Sequence, residues 1–122
     1  MNTARLRIST GSFYVPDVCV IPMAMVRRLR ERPGTFEVYD DPVPLVVQVW
    51  PPSTGEYDVE EKLKEYQLRR DLEIWGVHPY ERTLTAWRLR PDGTYAEAVH
   101  AGGTIESIAL PRVRIEFDRL FD

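Results

Sequence analysis

The chain has a single cysteine, Cys19, among its 122 residues. An internal disulfide is therefore excluded, and with it the class of small secreted proteins that disulfides hold together. Cys19 lies in an apolar run, so we predict a buried thiol in a reducing compartment, by default the cytoplasm. Histidine is also scarce, and His78 and His100 have no second ligand at the spacing of a zinc site. The sequence thus predicts no zinc centre.

Extended apolar stretches are missing as well. No segment approaches the length that spans a bilayer, and residues 1–15 lack the apolar core of a secretion signal, so we expect no membrane partner. The net charge is only −3, which excludes attraction of nucleic acid by the whole surface and leaves room only for a local basic patch. There is also no glycine-rich phosphate loop and no nucleophile elbow.

What is present is the composition of an ordinary globular domain, with 43% hydrophobic and 29% charged residues. No internal repeat or linker divides the chain, and its length suffices for one buried core, so residues 1–122 are predicted to form a single domain. The predicted elements of the first half are strands at Arg5–Ser9 and Val15–Ile21, a helix at Met23–Glu31, an edge segment at Thr35–Tyr39 and an almost wholly apolar strand at Pro44–Trp50.

The second half changes character along its length. A helix from Asp58, its predicted N-cap, to about Arg70 leads to a strand at Leu72–Val77, and such a strand-helix-strand unit favours parallel pairing. Beyond it, a hairpin turns at Pro91-Asp92-Gly93, and alternating residues after Gly102-Gly103 predict two more strands. The predicted fold class is therefore α/β (α+β), with a mixed β-sheet flanked by helices and antiparallel strands in the C-terminal third.

Three polar residues lie at the ends of elements that we expect to be neighbours. Asp17 opens a strand, and Gln48 interrupts the apolar strand 44–50. Lys62 falls at the edge of the stripe of its helix, whereas Lys64 points away; the stripe consists of Val59, Leu63, Tyr66 and Arg70. An acid, a second oxygen ligand and a nearby lysine are typical of metal-dependent phosphodiesterases, in which a divalent cation and the lysine stabilise the phosphate.

Each of the three also has a plainer structural interpretation. Asp17 suits a turn cap, Gln48 a core amide, and Lys62 a side chain that lies along the apolar stripe with its amine in water. An unpaired buried amide costs about 1–3 kcal/mol, so we expect Gln48 to have a partner, and Asp17 or a bound ion are the candidates.

The first predicted helix and the residue after it contain a cluster of arginines. With a net charge of −3, binding of nucleic acid would need such a local basic patch. The arginines are Arg27, Arg28, Arg30 and Arg32. Such a helix can follow a phosphate backbone and release counterions, or it can be a solvated helix face, and the sequence leaves both open.

Several segments together carry a family resemblance. They are Pro16-Asp17-Val-Cys-Val, Pro44-Leu-Val-Val-Gln48-Val-Trp-Pro-Pro52-Ser-Thr54, Glu61-Lys62-Leu with Tyr66, Glu73-Ile-Trp75-Gly-Val-His-Pro79, and Arg82-Thr83-Leu-Thr-Ala-Trp-Arg88-Leu. In order and spacing they resemble the Uma-two family, a group assigned to the restriction endonucleases of the PD-(D/E)XK nuclease superfamily, over nearly the whole chain.

The resemblance implies a restriction-endonuclease-like fold that acts on DNA with Mg²⁺ or Mn²⁺. It makes Asp17 a metal-binding acid, places Gln48 in the position of the second acid, and makes Lys62 the helix lysine. Gln48 and His78 both stand where the family carries an acid. Because Gln48 removes a negative charge from a site that must hold a cation against its hydration, we expect weak metal binding and impaired cleavage.

Two functions therefore remain open at this stage. One is an impaired metal-dependent DNA endonuclease; the other is an inactive pseudonuclease that binds nucleic acid through Arg27–Arg32 or serves as an oligomeric partner. Family members carry a longer N-terminal portion before the Asp17 strand, so we also expect uncovered apolar surface and a homodimer or larger assembly.

Overall fold

The computed structural model describes residues 5–11, 13, 14, 16, 18–30, 38–50, 56–110 and 113–120. The strands within these residues are β1 (Arg5–Arg7), β2 (Phe13–Tyr14), β3 (Val18–Val20), β4 (Val38–Tyr39), β5 (Leu45–Val49), β6 (Glu73–His78), β7 (Thr83–Leu89), β8 (Tyr95–His100), β9 (Thr104–Glu106) and β10 (Arg114–Glu116). The helices are α1 (Met23–Arg30), α2 (Glu56–Leu68) and α3 (Phe117–Leu120).

A five-stranded sheet of order β3-β5-β6-β7-β8 carries the core. β5 and β6 pair in parallel, and α2 supplies the crossover that a parallel pair requires. The other neighbours pair antiparallel, including β3 with β5, where Val18 lies opposite Val47. The predicted mixed sheet with antiparallel strands in the last third is confirmed.

Each face of this sheet has its own hydrophobic cluster. On one face Tyr66 of α2 packs with Val46, Ile74 and Trp87. On the other face Leu45, Trp75, Val77, Leu84 and Ala86 pack with Ile105 and Phe117 of the C-terminal segment. β6 is buried along its whole length and β5 at Leu45 and Val46, and strands buried on both faces have nearly continuous apolar sequences.

Arg69 connects the end of α2 to the small sheet formed by β1, β2 and β4. Its side chain is only 4% exposed and forms an ion pair of 3.1 Å with the fully buried Asp71. The guanidinium also donates to the main-chain oxygens of Arg7, Tyr39 and Asp41. These bonds orient the helix that carries Lys62.

Three sequence predictions need correction. The second helix begins at Glu56, so Asp58 lies in its first turn and is not the N-cap. Cys19 is only half-buried, because β3 is the edge strand of the five-stranded sheet. The described strands form three sheets rather than one, with β1 between β2 and β4 and with β9 beside β10. Strands of two or three residues are too short to show an alternating pattern.

None of the helices among the described residues is long and apolar enough to cross a membrane.

Candidate functional site

Gln48 lies half-buried on the α2 face of the sheet, opposite Gly76 of β6. The missing side chain at Gly76 is what lets the sheet carry large rings there. A Cβ at that position would lie 3.1 Å from both the Trp50 Nε1 atom and the Trp87 ring, closer than most side-chain contacts. Gln48 therefore lies beside an aromatic surface on the β6 side.

Tyr66 of α2 supplies the hydrogen bond of Gln48. The phenol O–H of Tyr66 donates to Oε1 of Gln48 over 3.3 Å, and Tyr66 is 1% exposed. The sequence analysis expected a partner for Gln48 but named Asp17 or an ion. The helical stripe already contained a signal for Tyr66, because it is the residue of that stripe with a hydroxyl that can reach the strand.

Lys62 lies one helical turn before Tyr66 and therefore on the same face of α2. Its Nζ atom is 5.8 Å from the centroid of the Tyr14 ring, within the range of a cation–π contact. The Tyr14 and Tyr66 rings meet edge to face at 6.1 Å. Lys64, by contrast, is exposed. Gln48, Tyr66, Tyr14 and Lys62 thus form one contiguous polar and aromatic group, which we call the Gln48 cluster.

Asp17 lies outside the described residues, as do the prolines and hydroxyl residues at 51–54. The nearest described contact is the pairing of Val18 with Val47, one position from Asp17 and from Gln48. The two strands that the sequence analysis placed side by side are therefore neighbours. The meeting of Asp17 with Gln48 stays a prediction.

His78 is the last residue of β6 and lies against Trp50, beside the Gln48 cluster. Its ring lies 4.0 Å, centroid to centroid, from Trp50, and its Nε2 atom is 3.4 Å from the Thr85 hydroxyl. Burial lowers the pKa of His78, with Glu81 opposing the shift. The imidazole is therefore held towards its neutral form, and its ring packs against Trp50.

The donor set can be tested against the divalent cation that the family resemblance implies. No group of three or more His, Cys, Asp or Glu side chains suited to a metal occurs among the described residues. Gln48 offers one neutral amide oxygen, which also accepts a hydrogen bond from Tyr66. Mg²⁺ and Mn²⁺ favour carboxylate and other hard oxygen ligands, so the described part of the site does not fit such a cation.

Glu73 is the fully buried carboxylate of β6, and its contacts are structural. Oε2 accepts from Trp75 Nε1 at 2.8 Å and from Arg88 Nε at 3.1 Å. Oε1 accepts from the Ser107 hydroxyl at 2.5 Å and from two main-chain N–H groups, those of Ile108 and Ala109. Burial raises the pKa of Glu73, but these hydrogen bonds outweigh it and hold the pKa below its usual value. Glu73 fastens the C-terminal segment to the sheet.

The predicted basic patch lies on α1. Arg27 and Arg28 are exposed, and Arg28 approaches Asp41 at 3.9 Å with both side chains about two thirds in solvent. Such exposed pairs contribute little stability. Arg30 belongs to α1, but its side chain lies outside the described residues, as does Arg32.

Comparison with known proteins agrees with this architecture. The model of the Uma2 family, described as "Putative restriction endonuclease", matches residues 1–117, and the chain belongs to this family. A crystal structure described as a "putative nuclease belonging to DUF820" from Anabaena variabilis ATCC 29413 superposes with a TM-score of 0.75 at 14% sequence identity. The superposition covers 99% of this chain and 66% of that one, and it establishes a shared fold. No curated protein matches the chain.

Proposed function

We propose that this protein is a DNA endonuclease of the restriction-enzyme type whose metal-dependent activity is strongly impaired by Gln48. Membership of the Uma2 family and the nuclease-like fold support the reaction class. The observation that carries the impairment is the neutral Gln48 side chain, because it removes a negative charge from a site that must hold a cation against its hydration.

The proposed roles are those that the family resemblance implies, and the described positions of Gln48 and Lys62 support them. Asp17 supplies the carboxylate, and Lys62 stabilises the scissile phosphate from the same helix face as Tyr66. Gln48 occupies the place of the second acid, and Mg²⁺ or Mn²⁺ would bind weakly without its charge. Each loss of about 1.4 kcal/mol in transition-state stabilisation lowers the rate about tenfold.

Cleavage of supercoiled plasmid DNA tests this function. With Mg²⁺ or Mn²⁺ the unmodified chain should cleave weakly or not detectably, and Gln48→Glu should raise cleavage by about tenfold or more, since it returns a charge at nearly the same volume. Asp17→Asn added to Gln48→Glu serves as the control and should abolish the gain. Robust Mg²⁺-dependent cleavage by the unmodified chain, lost in Asp17→Asn, would show that Gln48 does not impair the site.

A second candidate function is a pseudonuclease that binds nucleic acid without cutting it. The exposed Arg27 and Arg28 side chains on α1 favour it. Replacing both by Gln should make the negative slope of log K against log salt shallower by about 2 for duplex DNA, because each phosphate contact releases a counterion. The matched control is the exposed pair Arg114 and Arg119, whose replacement by Gln should leave the slope unchanged. Equal effects of both pairs would exclude a specific contact through α1.

The homodimer also belongs to the proposal. On the sheet face opposite α2, Val18 is 51% and Val49 43% exposed, and they border an apolar groove with Val47. Exposed apolar surface of this kind favours association. A monomer in light scattering at micromolar concentrations would count against self-association.

A further inference from the structure

The turn between β6 and β7 carries the most exposed of the large hydrophobic side chains in the described part of the chain. This side chain is Tyr80, which is 73% exposed. The turn consists of residues 79–82, between His78 and Thr83. A single exposed apolar residue is ordinary on a protein surface, so exposure alone assigns no role to Tyr80. Its place in the fold is what distinguishes it.

Tyr80 lies at the end of the sheet that carries the Gln48 cluster. β5 and β6 run parallel, so Trp50 after β5 and His78 at the end of β6 meet at this end, with their rings 4.0 Å apart between centroids. Tyr80 is two residues beyond His78, which limits the distance between their Cα atoms to about 7 Å. Gln48 is likewise two residues before Trp50. A DNA strand at the Gln48 cluster therefore passes the turn within a few nucleotides, each of which spans about 3.4 Å of a duplex.

The backbone of this turn is restricted at two positions. The ring of Pro79 fixes its φ angle, and Arg82 has a φ of 53°, a left-handed conformation that is uncommon outside glycine. The turn is also anchored at its base, where His78 pairs with Thr83. Tyr80 is therefore presented from a defined support, and few degrees of freedom are lost when its ring meets a ligand.

The charge of the chain favours a contact that does not depend on phosphate. Affinity for duplex DNA comes largely from lysine and arginine contacts to phosphates, whereas the net charge here is −3 and Glu81, beside Tyr80, is exposed. Stacking on an aromatic ring contributes affinity without charge, because every base has a π face. In a paired duplex the neighbouring bases cover these faces, so an exposed ring finds one where a base is unpaired.

We propose that Tyr80 is a base-stacking residue, and that the turn at residues 79–82 binds an unpaired base of the DNA strand that enters the Gln48 cluster. The inference rests on the proposed function for DNA as the ligand. It goes further in naming the form of the DNA, a strand with an unpaired base beside the scissile phosphate. It also assigns the recognition of that base to a residue outside the cluster.

Fluorescence anisotropy with a labelled single-stranded DNA oligonucleotide, and with the same sequence as a duplex, tests the proposal in the absence of divalent metal. Tyr80→Ala should weaken single-strand binding at least about fivefold, the lower end of what one stacked base contributes, and duplex binding less than about twofold. Tyr80→Phe keeps the ring and should bind like the unmodified chain. Tyr80→Leu keeps an apolar side chain without the π face and should be as weak as Tyr80→Ala.

Ile108→Ala is the matched control. Ile108 is 67% exposed, and its main-chain N–H donates to Glu73 on the sheet face opposite α2, so its truncation should leave both affinities unchanged. Because both side chains are exposed, we expect all the variants to fold. Thermal unfolding of each variant checks this under the conditions of the titration.

Several results would overturn the proposal while the protein still binds DNA. They are binding of the duplex alone, unchanged single-strand binding by Tyr80→Ala, an equal loss for single strand and duplex, and a loss in Tyr80→Phe as large as in Tyr80→Ala. In each of these cases the stacking role is wrong and the proposed function stands. If the unmodified chain binds neither form of DNA, the inference and the proposed function fail together.

Discussion

Gln48 on β5 and Glu73 on β6 lie on neighbouring strands of one sheet but on opposite faces, and their surroundings differ sharply. Glu73 is fully buried and accepts five hydrogen bonds from fixed donors. Gln48 is half-buried and, among the described residues, accepts one bond of 3.3 Å from Tyr66. A carboxylate offers about four lone-pair positions, so Glu73 has no capacity left for a ligand.

The difference separates a structural polar group from a candidate functional one. Saturation by protein donors marks Glu73 as part of the scaffold, although an acid inside a sheet strand resembles a metal ligand in the sequence. Gln48 at the candidate site accepts one hydrogen bond within the described part of the chain and shares its cluster with the cation Lys62. Burial alone therefore does not identify a catalytic acid.

The largest effect on stability should come from Glu73. Glu73→Ala removes the carboxylate that pairs with Arg88, whose side chain is 21% exposed. The Ser107 hydroxyl and the Trp75 N–H lose the same acceptor. We expect a loss of about 3–5 kcal/mol in the free energy of unfolding, measured by urea denaturation. Glu81→Ala, at an exposed position, should stay within about 0.5 kcal/mol. A loss below about 1 kcal/mol for Glu73→Ala would mean that the network is not structural.

The contribution of the Glu73 charge to the free energy of unfolding should depend on pH. This effect should be smaller than the loss caused by Glu73→Ala, and its sign follows from the pKa of Glu73. The folded-state pKa of Glu73 lies below its usual value of 4.5. Its contribution is therefore complete above the unfolded-state pKa and is lost as the pH falls through the folded-state pKa. The stability difference between the unmodified chain and Glu73→Gln should be constant near neutral pH and shrink below 4.5. Asp71, whose pKa burial raises against the effect of Arg69, is present in both chains and cancels.

A difference that stays constant down to the acid transition would contradict the depressed pKa of Glu73. In that case the hydrogen bonds of Glu73 would not discriminate between its charged and neutral forms.

The smallest stability effect should belong to Gln48→Glu. A carboxylate can accept the same Tyr66 hydrogen bond from its half-buried position, so the free energy of unfolding should change by less than about 1 kcal/mol. Urea denaturation without metal measures it. A loss above about 2 kcal/mol would show that the position behaves like the interior and that the comparison with Glu73 is wrong.

Much of the fold could be predicted from the sequence, because β5 and β6 are long enough to show apolar periodicity and the turn at Pro91-Asp92-Gly93 has strong local signals. The small sheet of β1, β2 and β4 could not, since its pairing depends on contacts distant in sequence. The Arg69–Asp71 pair shows the same limit. Both residues look like ordinary surface charges until the tertiary fold buries them.

The candidate site was predictable in part. Helical geometry separated Lys62 from Lys64, and the family resemblance singled out Gln48. The Tyr66 hydrogen bond was missed because Tyr66 was treated only as an apolar residue of the helix stripe. Asp17 lies outside the described residues, so its role as a metal ligand stays a prediction and is part of the proposed function.

Crystals of the unmodified chain and of Gln48→Glu, soaked in Mn²⁺ and examined by anomalous scattering, test the central claim most directly. We predict no ion on Oε1 of Gln48, with the Tyr66 hydrogen bond retained, and an ion on the new carboxylate in the variant. An Mn²⁺ ion ligated by both Asp17 and Gln48 Oε1 in the unmodified chain would contradict the account.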